Sequence, residues 1–328
     1  MNYYLGLDAG GSKTLAVITD EKGLLLASGN SGPGNHQINV ELAERNIQEA
    51  VNQALSQAGL QPHEIAVAWF GLAGADREAD FQILRPMIQR LQFPRYSIVC
   101  DTMIALRAGT TRPSGVVVIC GTGMNCAGVN SLGDTLQCGG FGYPYGDFGG
   151  GSELAVEAFR AVIRAWEGRG QATLLTPLVL EALGYTSVEQ MFHHSLDHHR
   201  EIPSSLTKLL FKAATKGDPV SLNILQKQGT ELGLSARAVI EKLGMHADTF
   251  DLVLAGSVIT KGEGSYIHPY IAKEVFRVAP ECSLQVLTVE PVVGAILSAM
   301  ENDGLLISDK IYEQVRSINN LKGVVTVE

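Results

Sequence analysis

The chain has 328 residues, about twice the length of a typical single domain, so two domains are expected. Hydrophobic residues make up 45% and charged residues 18%, which supports a large core and excludes disorder as the main state. A formal net charge of −9 with no basic run makes nucleic acid and membrane surfaces poor partners. Glycine is enriched, with 36 residues, so the places where glycines cluster are informative.

The cysteine content and the first residues indicate a protein of the reducing cytoplasm. The five cysteines are an odd number and form no CxxC pair, which argues against a disulfide framework and a four-thiolate zinc site. The opening sequence (MNYYLGLDAGG) lacks the basic region of a signal peptide. No run approaches the roughly 18 apolar residues of a membrane span, so we expect a soluble, cytoplasmic protein.

The N-terminal third has the pattern of an α/β unit. Short apolar runs bounded by glycines or turn residues predict strands, and apolar residues three or four positions apart predict helices. The expected strands are residues 3–8, 14–19, 24–28, 65–72 and 96–100, and the expected helices are residues 40–59 and 78–91. Gly59 is a favourable cap for the end of the first helix.

The pattern of the opening segment returns further along the chain. Residues 115–120, 125–129 and 135–138 predict three strands, joined first by a glycine turn and then by a hairpin turn. The strands at the N-terminus have the same layout. This repetition indicates an internal duplication and two related α/β domains with a cleft between them.

The second half of the chain is mainly helical. We expect helices at residues 153–166, 173–183, 206–216, 221–243 and 292–300, strands at 251–254 and 284–287, and a last helix at 307–320. The predicted domains are residues 1–115 and a larger domain, residues 116–305, with a helical insertion. A C-terminal helix within residues 306–328 is expected to pack back on the first domain.

The first chemical motif, Asp8–Thr14 (DAGGSKT), follows the first predicted strand. Its glycines let backbone N–H groups approach an anion, and Ser12, Lys13 and Thr14 add donors. A strand rather than a helix follows, so the motif is neither a Walker A loop nor a dinucleotide fingerprint. The carboxylate of Asp8 suits a Mg²⁺ ion that keeps most of its waters. On its own, the motif is equally consistent with a plain hairpin turn.

Two further motifs strengthen the interpretation as a phosphate site. Gly121, Thr122 and Gly123 hold the same place in the second copy, and two such turns are more specific for phosphate than one. Asp101 directly follows a predicted strand, at the sheet edge where α/β proteins bind ligands. A carboxylate there could accept the proton of an attacking hydroxyl, as in kinases. The alternative is that Asp101 only caps a helix that begins near Thr102.

The segment Cys138–Ser152 is the richest in glycine, with seven. Such density indicates close backbone approach to a ligand, with Asp147 available for sugar hydroxyls and Phe141 for a ring face. A flexible loop is the alternative. The strand-to-helix turn at Leu254–Ser257 could pack against a nucleotide. Three lysines spaced by four residues, starting at Lys208, are typical of a solvated helix face.

In this order, the motifs resemble the N-acetylglucosamine kinase branch of the BadF/BadG-type ATPases, within the actin/hexokinase/Hsp70 superfamily. The resemblance covers most of the chain and rests on the segments DAGGSKT, GLAGAD, the strand before Asp101, ICGTGMNC, CGGFGYPYGD, LAGS and PVVGAI. It implies an α/β fold of two duplicated ribonuclease H-like domains, with ATP and a sugar in the cleft between them.

The resemblance also implies roles for individual residues. Asp101 corresponds to the catalytic base that takes the proton of the sugar 6-hydroxyl, and Asp8 to the carboxylate near Mg²⁺. The positions that correspond to ATP binding are Gly10, Gly11, Ser12, Lys13, Thr14, Gly121, Thr122, Gly123, Gly256 and Ser257. The positions that correspond to sugar binding are Asn35, His36, Asn125, Gly140, Phe141 and Asp147.

One departure from the family pattern leaves the identity of the sugar open, because Phe148 stands where the family commonly has Glu. The expected function is an ATP-dependent and Mg²⁺-dependent kinase of the 6-hydroxyl of an N-acetylated amino sugar. N-acetylglucosamine is the leading substrate, and N-acetylmuramic acid and glucosamine are alternatives. An ATPase that activates a partner enzyme and a non-catalytic sugar sensor are the other two interpretations. A homodimer is the expected assembly.

Overall fold

The computed structural model describes residues 1–262 and 266–318. The N-terminal part contains β1 (Tyr3–Ala9), β2 (Thr14–Asp20), β3 (Leu25–Ser31), α1 (Val40–Ala58), β4 (Ile65–Leu72), α2 (Glu78–Gln89), β5 (Tyr96–Cys100) and α3 (Asp101–Gly109). The next strands and helices are β6 (Gly115–Cys120), β7 (Met124–Val129), β8 (Thr135–Cys138), α4 (Gly151–Trp166), α5 (Leu175–Leu183), α6 (Val188–Asp197), α7 (Thr207–Ala214) and α8 (Pro219–Lys242). The chain continues with β9 (Asp251–Ala255), α9 (Ser257–Thr260), α10 (His268–Val275), β10 (Ser283–Val286), α11 (Val292–Asn302) and α12 (Asp309–Arg316).

The strands form two five-stranded sheets of the same topology. The first sheet has the order β3-β2-β1-β4-β5, and the second has the order β10-β9-β6-β7-β8. Counted from its own first strand and from the opposite edge, the second order is also third, second, first, fourth, fifth. The identical order confirms the predicted duplication of an α/β unit.

The register of the first sheet brings three strand ends to one edge. β1 pairs with β4 in parallel, and β4 pairs with β5 in parallel. Ala9 lies opposite Leu72, and Leu72 lies opposite Cys100. Residues that follow these three strands therefore meet at the carboxyl edge of the sheet, where α/β proteins bind ligands.

Local sequence explains where the first helix begins and ends. The side chain of Asn39 accepts a hydrogen bond from the N–H of Leu42, which caps the N-terminus of α1. Gly59 adopts a left-handed conformation with φ of 67° and caps the C-terminus, as predicted. The apolar side chains of α1 between these caps pack on the first sheet and fill one side of its core.

The chain divides by its contacts into two units that differ in part from the predicted domains. The first unit is Met1–Val117 with the segment from Gln285 onward, and the second is Val118–Leu284. The prediction assigned residues 285–305 to the second domain. Those residues join the first unit because α11 packs on β1 and on α3. A Cβ added at Gly294 of α11 would lie only 1.9 Å from the carbonyl oxygen of Ile104, so the two helices touch backbone to backbone.

Some helices differ from the pattern seen in the sequence. α6 and α10 were not predicted, because their short and polar sequences hide the amphipathic spacing. The side chain of Ser187 nevertheless caps α6. The predicted last helix at 307–320 corresponds to α12, and residues 319–328 lie outside the described part of the chain.

Candidate active site

Two carboxylates lie at the carboxyl edge of the first sheet. Asp8 is the next-to-last residue of β1, the buried strand that also carries Leu5 and Leu7, and is 9% exposed. Burial is the main reason that the pKa of Asp8 rises to about 7, and the negative charge of Asp101 adds to the effect. Lys13 acts in the opposite direction. A buried carboxylate whose proton affinity is raised by a second carboxylate is one that a cation or a proton would stabilise.

Asp101 is the first residue of α3 and is half-buried. The pKa of Asp101 is raised to about 6, mainly by burial. A hydrogen bond from the Cys100 thiol lowers this pKa, and the charge of the neighbouring Asp76 raises it. The thiol sulfur is 3.3 Å from Asp101 Oδ1 and 3.2 Å from Asp76 Oδ1. A carboxylate with a pKa near neutrality is suited to accept a proton at physiological pH.

The first glycine turn joins β1 to β2. The Gly10 N–H donates to the Lys13 carbonyl at 2.9 Å, which closes the turn. The ammonium of Lys13 lies 2.5 Å from Glu290 Oε2, in an ion pair that is about half exposed. Thr14 differs from its predicted role, because it is fully buried and its hydroxyl donates to the carbonyl of Gly32. Its side chain holds the turn to the neighbouring loop and does not lie on the exposed surface with Ser12.

The second glycine turn joins β6 to β7 and is built in the same way. The Gly121 N–H donates to the Gly123 carbonyl at 2.9 Å, and the start of α4 docks on the turn. The Gly151 N–H donates to the Gly121 carbonyl at 2.8 Å, and a Cβ at Gly150 would lie 2.3 Å from the backbone of Gly123. Gly150 is therefore required for packing, and the turn is fixed from behind by the helix.

The glycines at the tips of both turns are not required by the protein itself. A Cβ added at Gly11, Gly121 or Gly123 would meet no atom within 4 Å, and none of the three has a positive φ. An alanine would therefore fit the backbone of the protein at each position. Glycine at such a position fits a surface that a ligand approaches closely, as phosphate does on backbone N–H groups.

A cavity of about 450 Å³ opens beside the second turn, within the second unit. Gly121 and Thr122 line one side, Ser257 and Val258 at the start of α9 line another, and a third side is formed by α7 and the residues just before it. Its volume is within the range of small-molecule sites. A Cβ at Gly256 would lie 2.3 Å from the Cys120 carbonyl, so this glycine lets the turn before α9 pack against β6.

The prediction missed one wall of this cavity. Phe211 of α7 lines it together with Lys208, which is exposed, as the lysine spacing predicted. The Thr207 hydroxyl donates to the Gly151 carbonyl and so fixes α7 beside the second turn. The only signal in the sequence was a short amphipathic helix, which does not say what the helix covers.

The glycine-rich loop is organised by Asp147, which is 8% exposed. Its Oδ2 accepts hydrogen bonds from the N–H groups of Gly140, Phe141 and Gly142, at 3.1, 2.9 and 2.6 Å. This carboxylate oxygen therefore holds the loop together, whereas the prediction had assigned Asp147 to sugar hydroxyls. Phe141 is 42% exposed at the surface of the loop.

Asn125 of β7 lies directly beneath this loop. A Cβ at Gly140 would lie 2.7 Å from Asn125 Cγ, so glycine is needed for the loop to approach the amide. On the far side of the loop, the Phe148 ring lies 4.3 Å from the ammonium of Lys227. The neighbouring Gly149 carbonyl accepts a hydrogen bond from Gln228 at 2.8 Å. Residues of α8 therefore hold the segment where the family pattern has Glu.

Asn35 and His36 follow β3 in the first unit. Asn35 is half-buried, and its Oδ1 accepts a hydrogen bond from the Gln37 N–H at 2.9 Å. His36 is only 3% exposed, and its Nε2 lies 3.3 Å from Asp80 Oδ1. Asp80 is also paired with Arg77. The imidazole is therefore buried beside the ion pair of Asp80 and Arg77, whereas the sequence predicted that it contacts the sugar.

The chain is similar over most of its length to two sugar kinases. An N-acetylmuramic acid/N-acetylglucosamine kinase from Clostridium acetobutylicum is 33% identical over 304 residues, which cover 91% of this chain and 98% of the relative. An N-acetyl-D-glucosamine kinase from Dictyostelium discoideum is 30% identical over 314 residues, which cover 91% of this chain and 98% of the relative.

Solved structures show the same fold. A ROK family glucokinase from Streptomyces griseus, in complex with glucose and AMPPNP, superposes with a TM-score of 0.60 at 18% identity and covers 92% of this chain and 100% of its own. In residues 1–262 and 266–318, no helix is long and apolar enough to cross a membrane. The model of the BadF/BadG/BcrA/BcrD ATPase family matches residues 5–299. The chain therefore belongs to the BadF/BadG/BcrA/BcrD ATPase family, with the two-domain actin/hexokinase-like fold of the sugar kinases.

Proposed function

We propose that the protein is an ATP-dependent kinase that phosphorylates the 6-hydroxyl of an N-acetylated amino sugar, with N-acetylglucosamine as the leading substrate. The main support for the proposal is the pair of glycine turns. The protein has room for a Cβ at the tip of each turn, yet the residues there are glycines. The half-buried Asp101, with a pKa near 6, supports a kinase rather than a passive nucleotide site. The two named kinases at 30% identity or more support an amino sugar as the acceptor.

Asp101 is the residue assigned to the proton. The sugar O6 forms a bond to the γ-phosphorus, the bond from that phosphorus to the ADP oxygen breaks, and the hydroxyl proton passes to the Asp101 carboxylate. Asp101 then releases the proton to water. The products are the sugar 6-phosphate and ADP, so atoms and charge balance.

The backbone of the two turns is assigned to the phosphates, and the cavity beside the second turn to the nucleoside. The Gly10 and Gly121 N–H groups close the two turns, so the N–H groups at the tips, such as those of Gly11 and Gly123, supply the donors, without the desolvation cost of a buried lysine. Thr122 and Ser257 add hydroxyls at the edge of the cavity. Lys13 adds one positive charge after release from Glu290, with which it is paired.

Asp8 fits a Mg²⁺ ion held mainly through water. Its buried carboxylate has a pKa near 7, so a nearby cation would relieve the cost of the charge. In residues 1–262 and 266–318, no three His, Cys, Asp or Glu side chains are grouped as a metal site. That agrees with an ion that takes one carboxylate, phosphate oxygens and waters. When bound, the ion would neutralise charge on the transferring phosphoryl group.

The sugar is assigned to Asn35, Asn125, Gly140 and Phe141. The exposed ring of Phe141 offers a face to a pyranose, and the two amides offer hydrogen bonds to hydroxyl or acetamido groups. Asp147 acts on the sugar through the loop that it shapes. Phe148 leaves N-acetylmuramic acid and glucosamine as alternative acceptors.

The other two interpretations have less support. The resemblance links the activating ATPases to an iron–sulfur cluster held by thiolates. Here Cys100, Cys120, Cys126 and Cys282 are buried, and burial raises the pKa of each thiol. Cys138 is half-buried. A non-catalytic sugar sensor would not need a carboxylate with a pKa near 6 at the sheet edge.

The test is ADP release with Mg·ATP and a panel of glucose, glucosamine, N-acetylglucosamine, N-acetylmuramic acid and N-acetylmannosamine, with the product identified by ³¹P NMR. We expect sugar-dependent release that is highest with an N-acetylated amino sugar, and phosphate on O6. Steady ATP hydrolysis that no sugar changes would favour the activating ATPase. Sugar binding without ADP release would favour the sensor.

A further inference from the structure

Cys100 connects the catalytic carboxylate to a second one. It is the last residue of β5, and its sulfur lies 3.2 Å from Asp76 Oδ1 and 3.3 Å from Asp101 Oδ1. Asp76 lies in the loop after β4, whose last residue, Leu72, is opposite Cys100 in the parallel register. The topology of the sheet therefore brings the two carboxylates to the same thiol.

A thiol has one proton, so the two carboxylates compete for it. Burial and the charges of Asp101 and Asp76 raise the pKa of Cys100 well above its ordinary value. The thiol is therefore protonated at neutral pH and acts as a donor to carboxylate oxygens. An oxygen of Asp101 that accepts this proton is held toward β5.

We propose that Cys100 and Asp76 are positioning residues for Asp101. The thiol holds Asp101 Oδ1, which leaves Oδ2 to receive the proton of the sugar hydroxyl. Asp76 sets the strength of this hold, because it draws on the same thiol proton. The inference rests on the proposed function, since it assigns the orientation of the base in the kinase reaction.

The charges around Asp101 make the two neighbours act in opposite directions. The hydrogen bond from Cys100 favours the ionised form of Asp101, and the charge of Asp76 disfavours it. The other groups at this edge are the Thr102 N–H, which favours the ionised form, Asp8 on β1, which interacts with Asp101, and Lys13 and Glu290, which act on Asp8. Removing the thiol and removing the charge of Asp76 should therefore move the same titration in opposite directions.

The experiment compares C100A, C100S and D76N with the wild type in steady-state kinetics between pH 5 and 9. In C100A we expect kcat to fall about tenfold with both KM values changed less than about twofold, as for a misaligned base. The acid limb of kcat/KM should move up by roughly half to one pH unit in C100A and down by a similar amount in D76N. C100S should restore kcat and the limb, because a hydroxyl also donates.

C282A is the matched control, because Cys282 is also a buried thiol but lies near β10 and contacts neither carboxylate. It should lose stability like C100A and keep the wild-type pH profile. Thermal melting of every variant separates unfolding from kinetic effects. An unchanged kcat and acid limb in C100A would overturn the inference, as would shifts of C100A and D76N in the same direction, or a failure of C100S to restore the profile.

A second readout does not need activity. The S–H stretching band of Cys100 is isolated as the infrared difference between wild type and C100A. We expect a hydrogen-bonded band that moves in D76N and in D101N, since each carboxylate shares the proton. A band at the frequency of a free thiol, unchanged by either substitution, overturns the inference. If the wild type transfers no phosphate to any sugar, the proposed function fails, and this band still decides whether the thiol bridges the carboxylates.

Discussion

The two glycine turns have similar backbone geometry but differ in the charged side chains near them. In each, the N–H of the first glycine closes the turn on a carbonyl two or three residues later, and the turn lies between the first and second strands of its sheet. Two residues before that glycine, the first turn has the buried Asp8 and the second has Ile119. The first turn also carries Lys13, paired with Glu290, whereas the tip of the second carries only Thr122 between its glycines.

This difference shows that the duplication preserved the backbone of the turn and not its side chains. Both units have the glycine turn, because it needs only glycines between two adjacent strands. The side chains differ, and the charged groups proposed for proton transfer and cation binding belong to the first unit. The second unit has a neutral turn, a cavity and the glycine-rich loop. The predictions below test this division of roles, from the largest expected effect to the smallest.

Loss of the base should have the largest effect. Asp101→Asn keeps the size and hydrogen-bonding shape of the side chain but removes the proton acceptor. We expect kcat to fall at least about 100-fold, with the KM for ATP nearly unchanged, because Asp101 belongs to neither the glycine turns proposed for the phosphates nor the cavity proposed for the nucleoside. Stopped assays of sugar-dependent ADP release measure both constants. Near-normal turnover would remove Asp101 from the reaction and end the proposed division of roles.

A methyl group on the second turn should weaken nucleotide binding without loss of stability. Gly121→Ala adds a Cβ that meets no protein atom within 4 Å, so any effect comes from the ligand. We expect the KM for ATP to rise about tenfold, equivalent to about 1.4 kcal/mol, with thermal stability unchanged. Leu132→Ala, at an exposed turn of the same sheet, is the control and should change neither. Unaltered ATP affinity in Gly121→Ala would show that the turn does not meet phosphate.

The pH dependence of kcat/KM should be set by the ionisation of Asp101, which belongs to the first unit. Asp101 must be ionised to accept a proton, and its pKa is about 6. At saturating Mg²⁺, kcat/KM for the sugar should be level above about pH 7 and fall about tenfold for each pH unit well below 6. Gly121→Ala should lower the whole profile without moving the limb. A limb near pH 4 would mean that burial does not raise the pKa of the base.

The smallest effect should be a gain in stability when the base is removed. The pKa of Asp101 is raised from 3.8 to about 6 on folding, so its charge costs the folded state free energy at any pH above 6. Asp101→Asn should increase the free energy of unfolding by about 1–2 kcal/mol at pH 8, a value reduced from the full shift because the residue is half-buried. The gain should fade as the pH drops from 6 to 4, where the wild-type carboxyl becomes protonated. Urea melts at pH 8 and pH 4 test this, and an equal gain at both values would point to packing instead of charge.

The backbone features of the site could be predicted from the sequence. Glycines after an apolar run fix a strand and a turn, and the repeated layout predicted the duplicated sheets. Asp101 was found because it follows a strand whose carboxyl end lies at the binding edge. These features depend on near neighbours in the chain, which periodicity and turn chemistry describe.

The remaining features depend on contacts between distant segments. Whether Asp147 faces a sugar or its own loop depends on three N–H groups that converge only when the loop folds. His36 is enclosed because α2 brings Asp80 beside it, and Lys208 lines a cavity because Thr207 ties α7 to the start of α4. The sequence pattern of a single segment does not predict such contacts between distant segments.

The return of the chain to the first unit after β10 has a consequence for synthesis on the ribosome. β1 and α3 are covered by α11, whose buried residues include Val292, Ile296 and Met300, and these are translated after the whole second unit. Most of the first unit is therefore synthesised first, but it lacks part of its core until α11 has been synthesised. The second unit is continuous and can complete its own core earlier. The unit that carries the proposed base would then be the last to fold, so premature termination before α11 would leave the first unit without part of its core, while the second unit would still be complete.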